Sequence, residues 1–150
     1  VAMKALDRGR LGLGAGCVGM AQRCLDMSMQ FAKERVQFGQ AIIKNQAIQF
    51  KLAEMATQIE AARLMVNQAA CMADEGKKIT KHSAMVKLFC SQVANRVAYE
   101  AVQIHGGMGY MTEYPVERFF RDARITEIYE GTTEIQKLVI AMQLIREYRR

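Results

Sequence analysis

Glu130 is the residue in this sequence best placed to do chemistry. It stands in a break between two helical stretches, with Ile128 and Tyr129 before it and Gly131 after it. A carboxylate flanked by apolar groups loses solvation, and lost solvation raises its pKa. A glutamate tuned in this way suits general-base work near neutral pH. The same residue also reads as a helix-start glutamate favoured by the helix dipole, and local spacing leaves both readings open. Two turns could approach a ligand. Residues 37–45 form a polar corner containing Phe38-Gly39, and residues 105–114 hold Gly106, Gly107 and Gly109 with Tyr110 and Tyr114. Glycines let a backbone come close to a bound group, and they also simply end helices.

Three other constellations fail on context. Gly14-Ala-Gly16-Cys-Val-Gly19 matches G-x-G-x-x-G, but the dinucleotide reading needs a preceding strand and a βαβ unit, which residues 1–13 do not supply. These glycines read as close-packing positions on a helix. His105-Gly106-Gly107 resembles an esterase oxyanion turn, yet the sequence holds no G-x-S-x-G. A di-iron bundle needs paired E-x-x-H, and neither His82 nor His105 has a glutamate three residues before it, so no metal site is expected.

The elements that must position Glu130 are helical. In the second segment Ile48, Leu52, Met55, Ile59, Ala62, Val66, Ala69 and Ala73 recur at spacings of four and three, an apolar seam that predicts burial in a bundle. Gly76 is expected to stop it. A third segment opens near Thr80 as N-cap, buries Val86, Phe89, Val93, Val97, Ala101 and Ile104, and ends at Gly106-Gly107. The first segment is predicted over 11–36, with Val18, Ala21, Leu25, Ser28 and Ala32 facing inward. A short helix follows Pro115 over 116–121. The last helix runs over 133–148, with Ile135, Leu138, Met142 and Ile145 inward and Thr133 and Gln136 at capping-box spacing. Short connections between three long helices and a shorter one predict an all-α, antiparallel up-and-down bundle in a single domain.

Composition sets the outer bounds. Hydrophobic residues at 51% and charged residues at 24% make a globular chain, and a single proline with no tryptophan argues against an all-β sandwich. Cys17, Cys24, Cys71 and Cys90 form no C-x-x-C pair, so they read as reduced core thiols. The net charge of +6 permits an anionic ligand, but its basic residues are scattered without aromatic interleaving, so no nucleic-acid partner is expected. No apolar run is long enough for a membrane span.

Four ordered motifs carry a resemblance. Glu34-Arg35-Val36-Gln37-Phe38-Gly39, Gln103-Ile104-His105-Gly106-Gly107-Met108-Gly109, Tyr114-Pro115-Val116-Glu117-Arg118 with Arg121-Asp122, and Tyr129-Glu130-Gly131-Thr132 stand in sequence across nearly the whole chain. Together they resemble the C-terminal helical domain of the acyl-CoA dehydrogenase family. The resemblance implies a longer protein with an N-terminal helical domain and a middle β domain, neither of them in these 150 residues. It implies FAD, an acyl-CoA substrate and α,β-dehydrogenation to a trans-2-enoyl-CoA. Glu130 then removes the α-proton while the β-hydrogen leaves as hydride to the flavin. Some family members place the base early in the first helix, where this sequence has Gly9.

By the same resemblance, Arg35 forks onto the FAD pyrophosphate of a neighbouring subunit, as a guanidinium does well. Gln37, Phe38 and Gln46 lie beside it. Gln103, Gly106 and Gly107 cradle the adenosine-diphosphate end, and Thr132 and Glu134 touch FAD at the start of the last helix. Asp7 and Arg10 lie near the CoA moiety, while Tyr129 and Gly131 border the thioester. The resemblance also implies a homo-oligomer, a dimer of dimers, and an electron-transferring flavoprotein as acceptor. It implies a cytoplasmic location in a bacterium and the mitochondrial matrix in a eukaryote. The isolated segment is expected to be inactive. A reading from another class, a non-catalytic helical oligomerisation or interaction domain, fits the bundle pattern equally.

Overall fold

The structure, a computed structural model, describes residues 2–149, with side chains from residue 5 onward. Five helices carry the chain: α1 (Ala2–Glu34), α2 (Gln46–Asp74), α3 (Thr80–His105), α4 (Val116–Ile125) and α5 (Thr133–Tyr148). A two-stranded antiparallel ribbon, β1 (Val36–Gln37) and β2 (Gln40–Ala41), joins α1 to α2. The bundle predicted from periodicity is the bundle observed.

Side-chain contacts fix the directions. Asp7 meets Thr80 and Ser83 at the start of α1 and α3, and Phe31 stacks on His105 at their ends with centroids 4.3 Å apart. The two helices therefore run parallel. Packed against both, α2 returns antiparallel, with Cys90 Sγ against the Ala62 carbonyl and Lys51 paired with Glu100. The fourth column is broken in two. Asn95 and Tyr99 on the later half of α3 meet Ala123 and Phe120 of α4. Lys78, just before α3, and Lys81 in its first turn meet Gln143 and Glu147 of α5. The break between α4 and α5 falls level with Lys87, and it holds Glu130.

The α2 seam buries Leu52, Met55, Ile59, Ala62 and Ala69, while Ile48, Val66 and Ala73 are half-buried at its flanks. The α3 residues predicted inward are buried except Phe89, which is half-buried. Five details of the sequence reading change. First, α1 begins at Ala2, well ahead of residue 11. Its first turns carry no apolar seam because their inward face is polar: Asp7 and Arg10 are buried three residues apart, and Asp7 accepts from Thr80 at 2.7 Å. Second, Thr80 is therefore not an N-cap. It lies inside α3, whose cap position is Ile79. Third, α5 is capped by Thr132, whose hydroxyl accepts from the Ile135 N–H, and not by a Thr133–Gln136 box. Fourth, Ile135, Leu138, Met142 and Ile145 are 45%, 56%, 44% and 53% exposed. The stripe is amphipathic as read, but α3 covers the other side of α5, through Gln136 and the half-buried Ile140 and Gln143. α4 also runs four residues past the predicted end, to Ile125.

The thiols divide. Cys17, Cys24 and Cys90 are buried and free, and burial pushes the Cys24 and Cys90 thiols up to about 12. Cys71 is exposed on α2, contrary to the core reading. The glycine motif also divides. A β-carbon on Gly14 would lie 2.3 Å from Val86 Cγ1, whereas Gly16 and Gly19 face open space. Only Gly14 is a close-packing position, letting α1 approach α3. We expect Gly14→Ala to lower the melting temperature of the full-length protein, since overpacking a stiff β-branched neighbour costs about 1–3 kcal/mol. Gly16→Ala should raise it slightly through the about 1 kcal/mol gain in helix propensity. Two increases in a thermal melt would refute the packing role of Gly14.

Candidate active site

The break between α4 and α5 is built from side chains that take up its loose backbone groups. Asn95 Nδ2 donates to the Ala123 carbonyl at 2.8 Å and the Thr126 hydroxyl donates to the same oxygen at 2.6 Å, closing the end of α4. The chain then turns through two left-handed residues, Glu130 at φ +56° and Gly131 at φ +92°. That region is uncommon for a residue with a β-carbon and marks local strain. Two side chains hold the turn. Gln136 Nε2 donates to the carbonyls of Glu130 at 3.2 Å and Gly131 at 2.9 Å. Lys87 Nζ, from α3, donates to the Gly131 carbonyl at 2.7 Å. Gly131 is required here twice over: its φ is left-handed, and a β-carbon would stand 2.7 Å from Gln136 Nε2.

The Glu130 carboxylate lies over Gly9 of α1. A β-carbon built on Gly9 would meet Glu130 Oε2 at 2.7 Å. The absence of a side chain at that position is what gives the carboxylate its place. No backbone carbonyl among the described residues takes the Glu130 N–H, so the turn presents a carboxylate and a free donor side by side. The expected desolvation is not met within this chain. Glu130 is exposed, and Ile128 and Tyr129 beside it are 47% and 45% exposed, facing outward rather than closing over the carboxylate. The turn projects from the bundle, and no element among the described residues closes over the carboxylate.

Around this turn stand the other residues of its motif. Thr132 caps α5, and Glu134 folds its carboxylate onto its own backbone N–H and the Thr132 hydroxyl, bonds that hold it below the usual carboxylate range. Both are thus engaged in the start of α5. Asp7 and Arg10 are buried at 7% and 5% exposure in a network with Thr80 and Ser83. They support α1 just below Gly9 rather than facing solvent.

The remaining site residues gather at the far end of the bundle. Phe38 and Gly39 form a two-residue hairpin turn, both with positive φ (+52° and +79°), the primed geometry that two-residue hairpins favour. Phe38 is thrown out at 98% exposure. Gln40 Nε2 bonds Asn45 Oδ1 across the corner at 3.0 Å, bringing exposed Gln46, the first residue of α2, behind it. The Arg35 side chain has no hydrogen-bond or ion-pair partner among the described residues, while its carbonyl takes the Ile42 N–H at 2.8 Å. Gln103, Gly106 and Gly107 are exposed where α3 ends. The stack of Phe31 on His105, with Tyr114 edge-on to both, ties this turn to the end of α1. His105 donates its Nδ1 proton to the Ala101 carbonyl at 2.7 Å, and burial lowers its pKa, so the ring is a neutral packing group.

The site residues thus form two clusters. Gly9, under the carboxylate, lies on α1 and Arg35 directly follows its last residue, 26 residues on, about 39 Å at the α-helical rise. Sequence reasoning missed two members of the first cluster, Lys87 and the holding role of Gln136. Lys87 left a signal: a lysine in line with buried Ser83, Cys90, Ala94, Val97 and Ala101, on a seam of small residues.

Comparison with known proteins identifies the family. The family model described as "Acyl-CoA dehydrogenase, C-terminal domain" matches residues 1–145. The short-chain specific acyl-CoA dehydrogenase, mitochondrial, of Rattus norvegicus is 53% identical over 149 residues, 99% of this chain and 36% of that protein. The caffeyl-CoA reductase-Etf complex subunit CarC of Acetobacterium woodii is 49% identical over 146 residues, 97% of this chain and 38% of that protein. Among solved structures, the butyryl-CoA dehydrogenase of Megasphaera elsdenii superposes with a TM-score of 0.94 at 51% identity, over 96% of this chain and 38% of that one. The chain spans little more than a third of the length of these relatives, and in the family model it corresponds to their C-terminal domain. This chain belongs to the acyl-CoA dehydrogenase family.

Proposed function

We propose that the protein is a flavin-dependent acyl-CoA dehydrogenase in which these 150 residues form the C-terminal helical domain, following N-terminal helical and middle β domains. The observation that carries this reading is the Glu130 turn, a strained backbone that places a carboxylate over a glycine and beside a free N–H. The substrate is an acyl-CoA thioester. The Glu130 carboxylate accepts the α-proton. The Glu130 N–H donates to the thioester carbonyl oxygen as negative charge develops there, and such a fixed donor is worth about 3–4 kcal/mol. Tyr129 and Gly131 border the thioester, with Asp7 and Arg10 supporting the helix beneath it. Loss of the α-proton and of the β-hydrogen with its electron pair leaves a trans double bond. When bound, FAD supplies the acceptor for that hydride.

The chain's residues fit FAD in two halves. The unpaired Arg35 guanidinium, the outward Phe38 ring and the open backbone at Gly106, where a β-carbon would meet nothing within 4 Å, suit a diphosphate and its flanking rings. Gln37, Gln46, Gln103 and Gly107 surround them. Thr132 and Glu134 lie instead at the Glu130 end. The two ends stand about 39 Å apart along α1, which favours their serving different flavins. One copy supplies the Glu130 end of a site and a neighbouring copy the Arg35 end in a homo-oligomer, which by the family resemblance is a dimer of dimers. A relative is by name part of an Etf complex, and we take an electron-transferring flavoprotein as the acceptor. No described helix is long and apolar enough to cross a membrane. One relative is mitochondrial by name. We place the protein in the mitochondrial matrix if its source is a eukaryote and in the cytoplasm if it is a bacterium.

The test is bleaching of the flavin absorbance of the full-length protein by saturated acyl-CoA thioesters, with the enoyl-CoA product identified. An unbleached flavin across a chain-length series would reject the reading and leave the non-catalytic assembly domain. Arg35→Ala should weaken FAD retention. A charge-assisted bond contributes about 1.5–3 kcal/mol, so the FAD dissociation constant should rise roughly tenfold or more. The hairpin itself should survive, because the Arg35 backbone makes its own bond to Ile42. An unchanged dissociation constant removes Arg35 from the site.

A further inference from the structure

We infer that Lys87 is a positioning residue for the base: its buried ammonium, by gripping the Gly131 carbonyl, sets the Glu130 turn and aims the carboxylate and N–H. The inference rests on the dehydrogenase reading above. Lys87 is 1% exposed and among the largest fully buried side chains, yet it forms no ion pair among the described residues. A buried charge without a paired carboxylate is costly, and burial depresses its pKa. The Glu127 and Glu130 carboxylates favour the ammonium from a distance without pairing with it, and its one hydrogen bond is to the Gly131 carbonyl.

What the ammonium does touch is the turn. Its 2.7 Å bond to Gly131 spans from α3 to the residue after the base, and among the described residues it is the one side-chain bond on the Glu130–Gly131 peptides that comes from outside α5. Gln136, from the first turns of α5, moves with that helix. Lys87 sits in the middle column of the bundle and ties the turn to the core. The two consecutive left-handed residues persist only if their surroundings over-determine them, and Lys87 supplies the part of that determination that does not depend on α5.

The test uses full-length Lys87→Met, which keeps an unbranched side chain of similar size and removes charge and donor. Gly131 O keeps its Gln136 bond, so no acceptor is orphaned. Three readouts are expected together. The melting temperature stays level or rises. Amide exchange over residues 129–132 quickens. Flavin reduction by saturated acyl-CoA slows roughly 10–100-fold at full amplitude, the order expected when a reacting group is displaced by about 1 Å, while the acyl-CoA dissociation constant changes little. A rate within twofold of wild type, or unchanged exchange at the turn, overturns the inference. So does a variant that melts earlier and loses amplitude at an unchanged rate, which is the mark of a merely structural lysine. Should Lys87→Met fail to fold, Lys87→Gln, whose amide is one atom shorter, is read by the same three measurements. A wild-type protein whose flavin no acyl-CoA bleaches rejects the dehydrogenase reading instead, and amide exchange then still decides whether Lys87 holds the turn.

Discussion

Glu130→Gln in the full-length protein should bind flavin and acyl-CoA much as the wild type does and reduce its flavin about 10²–10⁴-fold more slowly. The amide is nearly isosteric with the carboxylate and adopts the same left-handed backbone, so the bonds from Lys87 and Gln136 to the turn remain. The free Glu130 N–H is also untouched, and with it the polarisation of the thioester carbonyl. What disappears is the acceptor for the α-proton. That proton is weakly acidic, which places the loss toward the upper end of the range. Stopped-flow bleaching by a saturated acyl-CoA measures it directly. Reduction within a few-fold of wild type would mean that Glu130 is only a helix-start glutamate favoured by the dipole of α5.

The second large effect is expected from Gly9→Ala, and it separates rate from stability. Inside α1, alanine is favoured over glycine by about 0.5–1 kcal/mol, so the variant should melt no lower than wild type. Its methyl group would nevertheless stand 2.7 Å from Glu130 Oε2, closer than van der Waals contact allows. The cheapest relief is for the carboxylate to swing away, because it is the free end of an exposed side chain. Misplacing a reacting group by about 1 Å costs on the order of 10²-fold, so flavin reduction should slow by roughly 10–10²-fold with the FAD content unchanged. An alanine variant with the wild-type reduction rate would show that the carboxylate does not work from its place over Gly9.

Much of this protein was decided by local sequence. The α2 seam from Leu52 to Ala69, the end of α3 at Gly106, the Phe38-Gly39 turn and the break holding Glu130 all depend on residues within a few positions of one another. Helix periodicity and turn chemistry are set at that range. The four motifs that carry the family resemblance are likewise local strings. Where a local signal misled, the inward face was not apolar or the apolar face was not inward. Asp7 and Arg10 turn a polar face into the core at the start of α1, hiding the helix from any hydrophobic count. On α5 the apolar stripe is real, but Gln136 faces α3 while Ile135 and Leu138 face out. A stripe states that a helix has two sides, not which side its own chain will cover.

Tertiary structure alone decided the site. Gly9 beneath the Glu130 carboxylate, Lys87 on the Gly131 carbonyl and His105 against Phe31 join residues far apart in the chain. No spacing rule connects them, because a folded bundle brings distant positions together by packing helix against helix. The same packing separated what the motifs seemed to unite. With α1 and α3 parallel and α5 confined to the earlier half of α3, the Glu130 turn and the Arg35 corner stand at opposite reaches of one bundle. The sequence supplied the chemical groups, and the lengths and directions of the helices determined that the Glu130 turn and the Arg35 corner stand apart on one chain.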